Sequence, residues 1–187
     1  NIIDGIWIAG LGQEAIAGIG FITPIFMILN GVSVGLGSGA TSSISRFVGA
    51  KNHKKASQSA AHSLLIFLIA SVVLTIVLLI LQEPLLKLYG ASGESLAQGI
   101  KYGTPLFLGL FAFIFANGAS GILRGEGDMK RAMYAVVVSV ILNAILDPIC
   151  IYILGWGSAG AAIATILSSI CSAIVILYWI LVTKPTY

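Results

Sequence analysis

The stretch LLIFLIASVVLTIVLLIL, residues 64–81, contains eighteen consecutive residues without a charged side chain. A helix needs roughly 20 apolar residues to cross the hydrocarbon core of a bilayer, so this stretch predicts a membrane-spanning helix. The whole chain has the same character, with 58% hydrophobic and 9% charged residues among 187 and a mean hydropathy of +1.02. Soluble domains carry about 25% charged residues. The composition therefore excludes a soluble globular protein and indicates a polytopic membrane protein.

Other apolar stretches predict five further spans, of which the first is incomplete. In lipid the backbone must satisfy its own hydrogen bonds, and the unbroken apolar runs lack the alternation of a membrane β-barrel, so we expect helices. The fold class is therefore all-α, a single bundle of six membrane helices covering residues 1–187. Because the chain starts without Met inside an apolar stretch, we interpret it as a fragment of a longer protein. The predicted spans are a partial helix at 1–11 and helices near 15–40, 63–81, 102–123, 132–154 and 159–182.

The basic residues predict the orientation of these spans, because Lys and Arg are enriched in cytoplasmic loops. Eight of the ten basic residues fall in alternate connections or at the C-terminal end, whereas the remaining connections hold only Lys87 and Lys101. Topology thus explains the net charge of +3 without a nucleic-acid partner. The eight residues assigned to the cytoplasm are Arg46, Lys51, Lys54, Lys55, Arg124, Lys130, Arg131 and Lys184.

Two of the seven acidic residues, Asp4 and Asp147, fall inside predicted spans. A charged side chain costs roughly 2.5–3.5 kcal/mol at the bilayer centre, so an acid there indicates a functional site. At about 1.5 Å per residue, both acids lie roughly 9–12 Å below the outer surface. Asn143 lies one helical turn from Asp147, and Thr165 on the next span falls at a similar depth. The spacing therefore predicts one polar cluster formed by three helices.

The chemistry of this cluster predicts cation binding. Carboxylate, amide and hydroxyl oxygens suit a hard cation such as Na⁺. Two nearby carboxylates in a low dielectric also favour proton exchange at one of them, so the site could bind Na⁺, H⁺ or each in turn. Pro148 has no N–H to donate to the carbonyl of Ala144, which predicts a bend and a further ligand oxygen beside Asp147.

Two other patterns have structural interpretations. Gly31, Gly35 and Gly39 recur at every fourth position, which is typical of a helix face on which a second helix packs closely. Cys150 and Cys171 are expected roughly 10 Å apart along the membrane normal, so we expect no disulfide between them.

One sequence motif matches a family of enzymes, but its aspartate is expected too far from the other acids for catalysis. Residues 125–128, GEGD, match the Gly-x-Gly-Asp of presenilin-type intramembrane aspartyl proteases, whose two aspartates must meet to share a proton. Asp128 is expected at the cytoplasmic edge, roughly 20 Å or more in depth from Asp4 and Asp147. We therefore expect a protein that is not an enzyme and needs no cofactor apart from a coupling ion.

Five motifs, in order along nearly the whole chain, resemble those of the multidrug and toxic compound extrusion (MATE) transporters, in their archaeal and bacterial branch. Each motif alone is short, and their common order and spacing carry the resemblance. The motifs are NIID followed by GLGQEA (1–4 and 10–15), RFVGA (46–50), LRGEGD (123–128), NAILDP (143–148) and GAAIAT (160–165).

The resemblance implies the N-terminal six-helix lobe of a two-lobe, twelve-helix protein of the plasma membrane. Such proteins exchange Na⁺ or H⁺ moving inward for amphipathic, often cationic, compounds moving out. The implied partners are therefore the bilayer, those compounds, and a C-terminal lobe that supplies the other wall of the substrate cleft. The resemblance also implies residue roles: a cation (Na⁺) site at Asp4, Asn143, Asp147 and Thr165, a network or interfacial position for Tyr102, and a cavity-lining position for Asn117.

Two alternatives stay open at this point. A lipid-linked sugar flippase of the same superfamily would be expected to line its cleft with more basic residues, and the predicted spans hold none. A membrane scaffold subunit without transport activity would use the buried acids only to pair with a neighbouring protein.

Overall fold

The computed structural model describes Gly10 and residues 13–182, without the side chains of residues 14, 15 and 181. Throughout that part of the chain the fold is helical and contains no strand, which confirms the all-α class. The predicted partial span at 1–11, with Asp4, lies outside the described residues apart from Gly10, and Lys184 lies outside them as well. The helices are α1 (Gln13–Gly49), α2 (His53–Leu88), α3 (Gly93–Leu108), α4 (Leu110–Gly125), α5 (Met129–Pro148, followed by a π-helical turn at Ile149–Ile153) and α6 (Gly157–Val182).

Four of these helices are long and apolar enough to cross a membrane: α1, α2, α5 with its π-helical turn, and α6. The bent pair α3 and α4 provides a fifth crossing if it is taken as one span. Large apolar side chains on their outer faces, such as Ile69, Ile76 and Ile80, are more than half exposed. These faces are suited to contact with lipid, as the prediction of a polytopic bundle requires.

The first two helices extend well past the predicted spans at 15–40 and 63–81. Helix α1 has 37 residues and α2 has 36, so each is about 55 Å long at 1.5 Å per residue. The hydrocarbon core accounts for only about 30 Å of that length. Residues 41–49 and 53–62 form a polar helical hairpin on the predicted cytoplasmic side, and residues 82–88 extend α2 at its opposite end. Asn52 is the N-cap residue of α2, because its side chain accepts a hydrogen bond from the Lys55 N–H at 3.1 Å.

Two helices cover the stretch 102–123, for which the sequence predicted a single span. Helices α3 and α4 meet at Gly109 with a bend of 49°. Gly109 lies four residues after Pro105, and a Cβ at Gly109 would overlap the side chain of Ile166 on α6. The missing side chain thus lets α6 approach the bend, and Pro and Gly are the usual causes of such kinks.

Helix α4 lies at the centre of the bundle. Eleven of its sixteen residues are buried, and it packs against α1 and α2 on one side and α5 and α6 on the other. Its glycines permit this packing. A Cβ on Gly118 would lie 2.6 Å from the Phe67 ring of α2, and one on Gly121 would overlap the Gly37 carbonyl of α1. The crossing of α1 and α4 is therefore made between backbones, as small residues allow in membranes.

The glycine pattern in α1 packs differently from the expectation. No described atom of a neighbouring helix lies within 4 Å of a Cβ added at Gly31, Gly35 or Gly39. The predicted packing face therefore has no partner among the described residues, and the close contact is made by Gly37 instead.

Candidate cation site

Asp147 is completely buried, with 0% of its surface exposed. It lies near the end of α5, where it shares one helix face with Asn143, four residues earlier. The Asn143 side-chain N–H₂ donates to the Asp147 carboxylate at 3.2 Å. Asn143 is itself only 3% exposed. The two residues predicted to share a site therefore form a hydrogen-bonded pair inside the lobe.

Thr165 joins this pair from α6. The Asn143 amide also lies within hydrogen-bonding reach of the Thr165 hydroxyl oxygen, at 3.4 Å. The Thr165 hydroxyl in turn donates to the Ala161 carbonyl, one turn earlier on its own helix, at 3.1 Å. The structure thus brings together Asn143, Asp147 and Thr165, three of the four predicted ligands.

The fourth predicted ligand, Asp4, lies outside the described residues. An ionised carboxylate buried at this depth must be compensated, because its transfer out of water is costly unless a cation or a proton accompanies it. The three residues supply oxygen atoms of three chemical kinds, which suits Na⁺. The arrangement is therefore chemically able to hold a hard cation or a proton.

The backbone next to Asp147 is irregular. A π-helical turn, Ile149–Ile153, begins directly after Pro148, where the sequence predicted a bend. Gly160 of α6 packs on this turn, since a Cβ there would lie 2.5 Å from the carbonyl oxygen of Cys150. Rare π-helical turns occur frequently at functional sites. The contact holds α5 against α6 about one helical turn from the polar cluster.

Cys150 and Cys171 are both free thiols.

A polar cavity of about 220 Å³ adjoins the cluster. It lies between α4, α5 and α6, and both Asn143 and Thr165 line it together with Asn117. The Asn117 amide donates to the Phe113 carbonyl of its own helix at 2.9 Å. Asn117 therefore lines this cavity of the lobe, and its place in the cavity of the complete protein stays a prediction.

Serines form much of the remaining wall, and the sequence analysis missed them. Ser168, Ser169 and Ser172 follow Thr165 at spacings of three, four and seven, which places all four residues on one face of α6. Ser120 of α4 is 3% exposed, and its hydroxyl has no hydrogen-bond partner among the described atoms. The helical periodicity of these hydroxyls is a signal that could have identified the cavity. The serines that line the cavity are Ser120, Ser139, Ser168, Ser169 and Ser172.

Tyr102 lies close to the cluster on α3. Its half-buried ring packs against the buried pair Ile151 and Ala161, and Ala161 is the residue whose carbonyl accepts the Thr165 hydroxyl. The residue thus borders the site from a third helix.

A buried acid, amide and hydroxyl inside a lobe of membrane-spanning helices are typical of membrane transporters. The chain belongs to the MatE family, whose model matches residues 1–149. Proteins of this family are multi-pass transporters of the plasma membrane, so the expected absence of enzymatic activity and the expected location hold.

Known relatives agree with this assignment. The chain is 30% identical over 172 residues to the FAD transporter of Shewanella oneidensis, and 29% identical over 175 residues to the probable multidrug resistance protein YoeA of Bacillus subtilis. These matches cover 90% and 91% of the chain and 38% of each relative. A crystal structure of MATE in the bent conformation is 44% identical, with a TM-score of 0.96, over 100% of the chain and 42% of that structure. The chain thus spans about two fifths of the length of these relatives.

Proposed function

We propose that this chain forms the N-terminal half of a cation-coupled antiporter and carries its ion site. Na⁺ or H⁺ moves inward through the complete protein, while an amphipathic, often cationic, compound moves outward. The observation that carries the proposal is the completely buried Asp147, hydrogen-bonded to Asn143 with Thr165 alongside. Its relatives named for multidrug resistance or export support the substrate class.

The ion binds at Asn143, Asp147 and Thr165, and Asp4 is the fourth ligand that the sequence predicts. A bound cation neutralises the charge of the Asp147 carboxylate, which is buried away from water. Ion binding therefore changes the relative stability of the helix arrangements around α5. Coupling requires that the ion binds one arrangement of the lobe more tightly than the other. Proline and the π-helical turn next to Asp147 provide a segment of α5 whose backbone is able to rearrange.

The experiment is ion-driven efflux of the fluorescent cation ethidium from vesicles that contain the full gene product. We expect Asp147→Asn to reduce efflux to the level of vesicles without protein under both a Na⁺ and a pH gradient. Asp128→Asn is the matched control, because it makes the same chemical change at the predicted cytoplasmic edge. Asn also caps a helix as well as Asp does, so the start of α5 is kept.

Two results would decide against the proposal. Unchanged efflux in Asp147→Asn would remove the carboxylate from the coupling mechanism. A wild-type protein that shows no ion-driven efflux but binds one stoichiometric membrane partner would favour the scaffold alternative. Comparing the Na⁺ gradient with the pH gradient in the wild type identifies the coupling ion.

A second substrate class has its own supporting observation. Arg124, at the end of α4, lines a cavity of about 300 Å³ together with Ser38, Thr41 and Asn117. A guanidinium favours an anionic group such as a phosphate, and one relative is an FAD transporter. Anionic flavin dinucleotides, or the lipid-linked sugars of a flippase, are therefore the alternative cargo. Competition of FAD against ethidium efflux, in the wild type and in Arg124→Gln, separates the two classes.

A further inference from the structure

A second, larger concavity lies away from the polar cluster, between the predicted cytoplasmic halves of α1 and α2. It measures about 830 Å³ and is open to the outside of the lobe. Its mouth is formed by Phe47 of α1 with Lys55, Gln58 and His62 of α2. None of these residues belongs to the cation site. We refer to this concavity as the α1–α2 groove.

The polar mouth of the groove carries positive charge only. The Lys55 ammonium lies over the Phe47 ring, 6.0 Å from its centroid, and this contact holds it at the entrance. No acidic residue occurs in the sequence from residue 15 to residue 82. The mouth is therefore complementary to an anionic group, with Gln58 as an additional hydrogen-bond donor.

The inner part of the groove is lined mainly by apolar residues. Gly35 and Gly39 form one wall, and their missing side chains leave the space beside α1 open. Ile66 and Phe67 form the opposite wall on α2. From Lys55 to Phe67 the groove extends about 18 Å along α2, at 1.5 Å per residue. One leaflet contributes about 15 Å to the hydrocarbon core of a bilayer. The groove is therefore long enough for a polar headgroup and an acyl chain of one leaflet.

We propose that the α1–α2 groove binds one diacyl phospholipid with an anionic headgroup from the cytoplasmic leaflet. Its phosphate lies at Lys55 and Gln58, and one acyl chain runs along Gly35 and Gly39. Basic pockets between membrane helices on the cytoplasmic side are suited to such headgroups, because the cytoplasmic leaflet carries the anionic lipids. The occupant is a lipid rather than a free phosphate, since the groove continues into the apolar region.

The lipid has a mechanical consequence for the lobe. Inside the groove the hydroxyls of Ser43 on α1 and Ser59 on α2 lie 2.7 Å apart and form a hydrogen bond between the two helices. A lipid that fills the groove adds contacts to both helices and stabilises their spacing. Anionic lipid thereby affects the lobe independently of the coupling ion.

The test measures which lipids remain bound to the full gene product after extraction from vesicles made of equal parts of phosphatidylglycerol and phosphatidylcholine. Native mass spectrometry counts both lipids. The wild type is expected to retain phosphatidylglycerol preferentially. Lys55→Gln is expected to lower that preference about fivefold, the effect of one basic residue near an anionic surface. Lys130→Gln, an exposed cytoplasmic lysine outside the groove, is the matched control and keeps the preference.

A second variant tests the apolar part. The Cβ that Gly35→Leu adds has no described neighbour within 4 Å, and the rest of the side chain extends into the groove. The protein is therefore expected to keep its thermal stability and to lose both lipids together. Equal preference in Lys55→Gln and Lys130→Gln would overturn the proposal. Undiminished lipid retention in Gly35→Leu would also overturn it. Loss of thermal stability in Gly35→Leu with lipid retention indifferent to Lys55 would overturn it too, because another protein segment would then occupy the groove.

Discussion

The two sides of α1 differ in how closely other parts of the molecule approach them. Toward α4, Gly37 meets Gly121, and a Cβ on Gly121 would lie 2.8 Å from the Gly37 Cα. Toward the α1–α2 groove, Gly35 and Gly39 have no described neighbour within 4 Å of a Cβ. Gly35 and Gly37 are two residues apart, so they lie about 200° apart around the helix axis.

The difference shows that glycine in a membrane helix has two separate uses. At Gly37 the missing side chain allows two backbones to touch, which fixes α1 on the central helix. At Gly35 and Gly39 the same absence leaves a concavity in which a lipid chain fits, as proposed above. Spacing along the sequence does not distinguish the two uses, because only the position of α4 determines which face is covered.

The largest expected effect comes from adding one methyl group at the close crossing. Gly121→Ala forces α4 away from the Gly37 backbone, and overpacking of this kind costs about 1–3 kcal/mol. We expect a clear fall in the melting temperature of the detergent-purified protein, measured by intrinsic fluorescence. Gly39→Ala is the matched control, with no loss and a gain of up to about 1 kcal/mol from helix propensity.

This pair of variants tests whether the two faces of α1 differ in how closely other helices pack on them. If Gly39→Ala were as destabilising as Gly121→Ala, a protein segment would have to pack on the open face of α1. The groove would then be an interface, and the contrast between the two faces would be lost.

A smaller effect is expected at the hydrogen bond that accompanies the crossing. The Thr41 hydroxyl lies 2.7 Å from the Gly121 carbonyl of α4 and 2.9 Å from the Gly37 carbonyl of its own helix. Thr41→Val keeps the shape and removes this link. Hydrogen bonds between membrane helices contribute about 0.6 kcal/mol on average and about 1.7 at most, so the melting temperature should fall less than in Gly121→Ala.

Thr23→Val provides the control for Thr41→Val. The Thr23 hydroxyl is exposed and donates to the Ile19 carbonyl of its own helix at 3.0 Å, and it bonds to no second helix among the described residues. An equal fall in both variants would mean that the hydroxyl acts within α1 and that the crossing depends on glycine packing alone.

Much of the fold follows from the sequence because hydropathy reports contact with lipid. The apolar run at 64–81 falls inside α2, and the helical class is confirmed. Hydropathy cannot report helix that continues in water, so the cytoplasmic extensions of α1 and α2 were missed. The bend at Gly109 was missed for another reason. Pro105 and Gly109 are sequence signals of a kink, but the contact of Gly109 with Ile166 of α6 depends on how the helices pack.

The sequence predicted those parts of the candidate site that depend on spacing within one helix or on a common depth in the membrane. Asn143 and Asp147 share a face of α5 by spacing alone, and depth arithmetic placed Thr165 beside them. The cavity wall was harder, because Ser120 on α4 joins it only through the packing of three helices. The participation of Asp4 stays a prediction, since that residue lies outside the described part of the chain.

The smallest expected effect is at the cytoplasmic end of the close contact between α1 and α4. Gly125 packs on Ile44 of α1, and Glu126 follows it directly. Partial burial raises the pKa of the Glu126 carboxyl above its ordinary value of 4.5, and the charge of Asp128 raises it further, while Arg131 opposes the change. The folded protein therefore binds more protons than the unfolded chain just above pH 4.5. Its stability falls as the pH rises through that interval and stays lower above it.

Glu126→Gln removes this titration, so it should flatten the dependence of the melting temperature on pH and raise that temperature slightly at pH 8. The effect should be smaller than that of Thr41→Val, because solvent screens a carboxyl that is only partly buried. Glu83→Gln makes the same change on an exposed side chain in α2, away from the contact. If both variants flattened the curve equally, the pH dependence would belong to the total charge of the lobe. If only Glu126→Gln does so, the tight contact of α1 with α4 extends to Glu126 and desolvates its carboxyl.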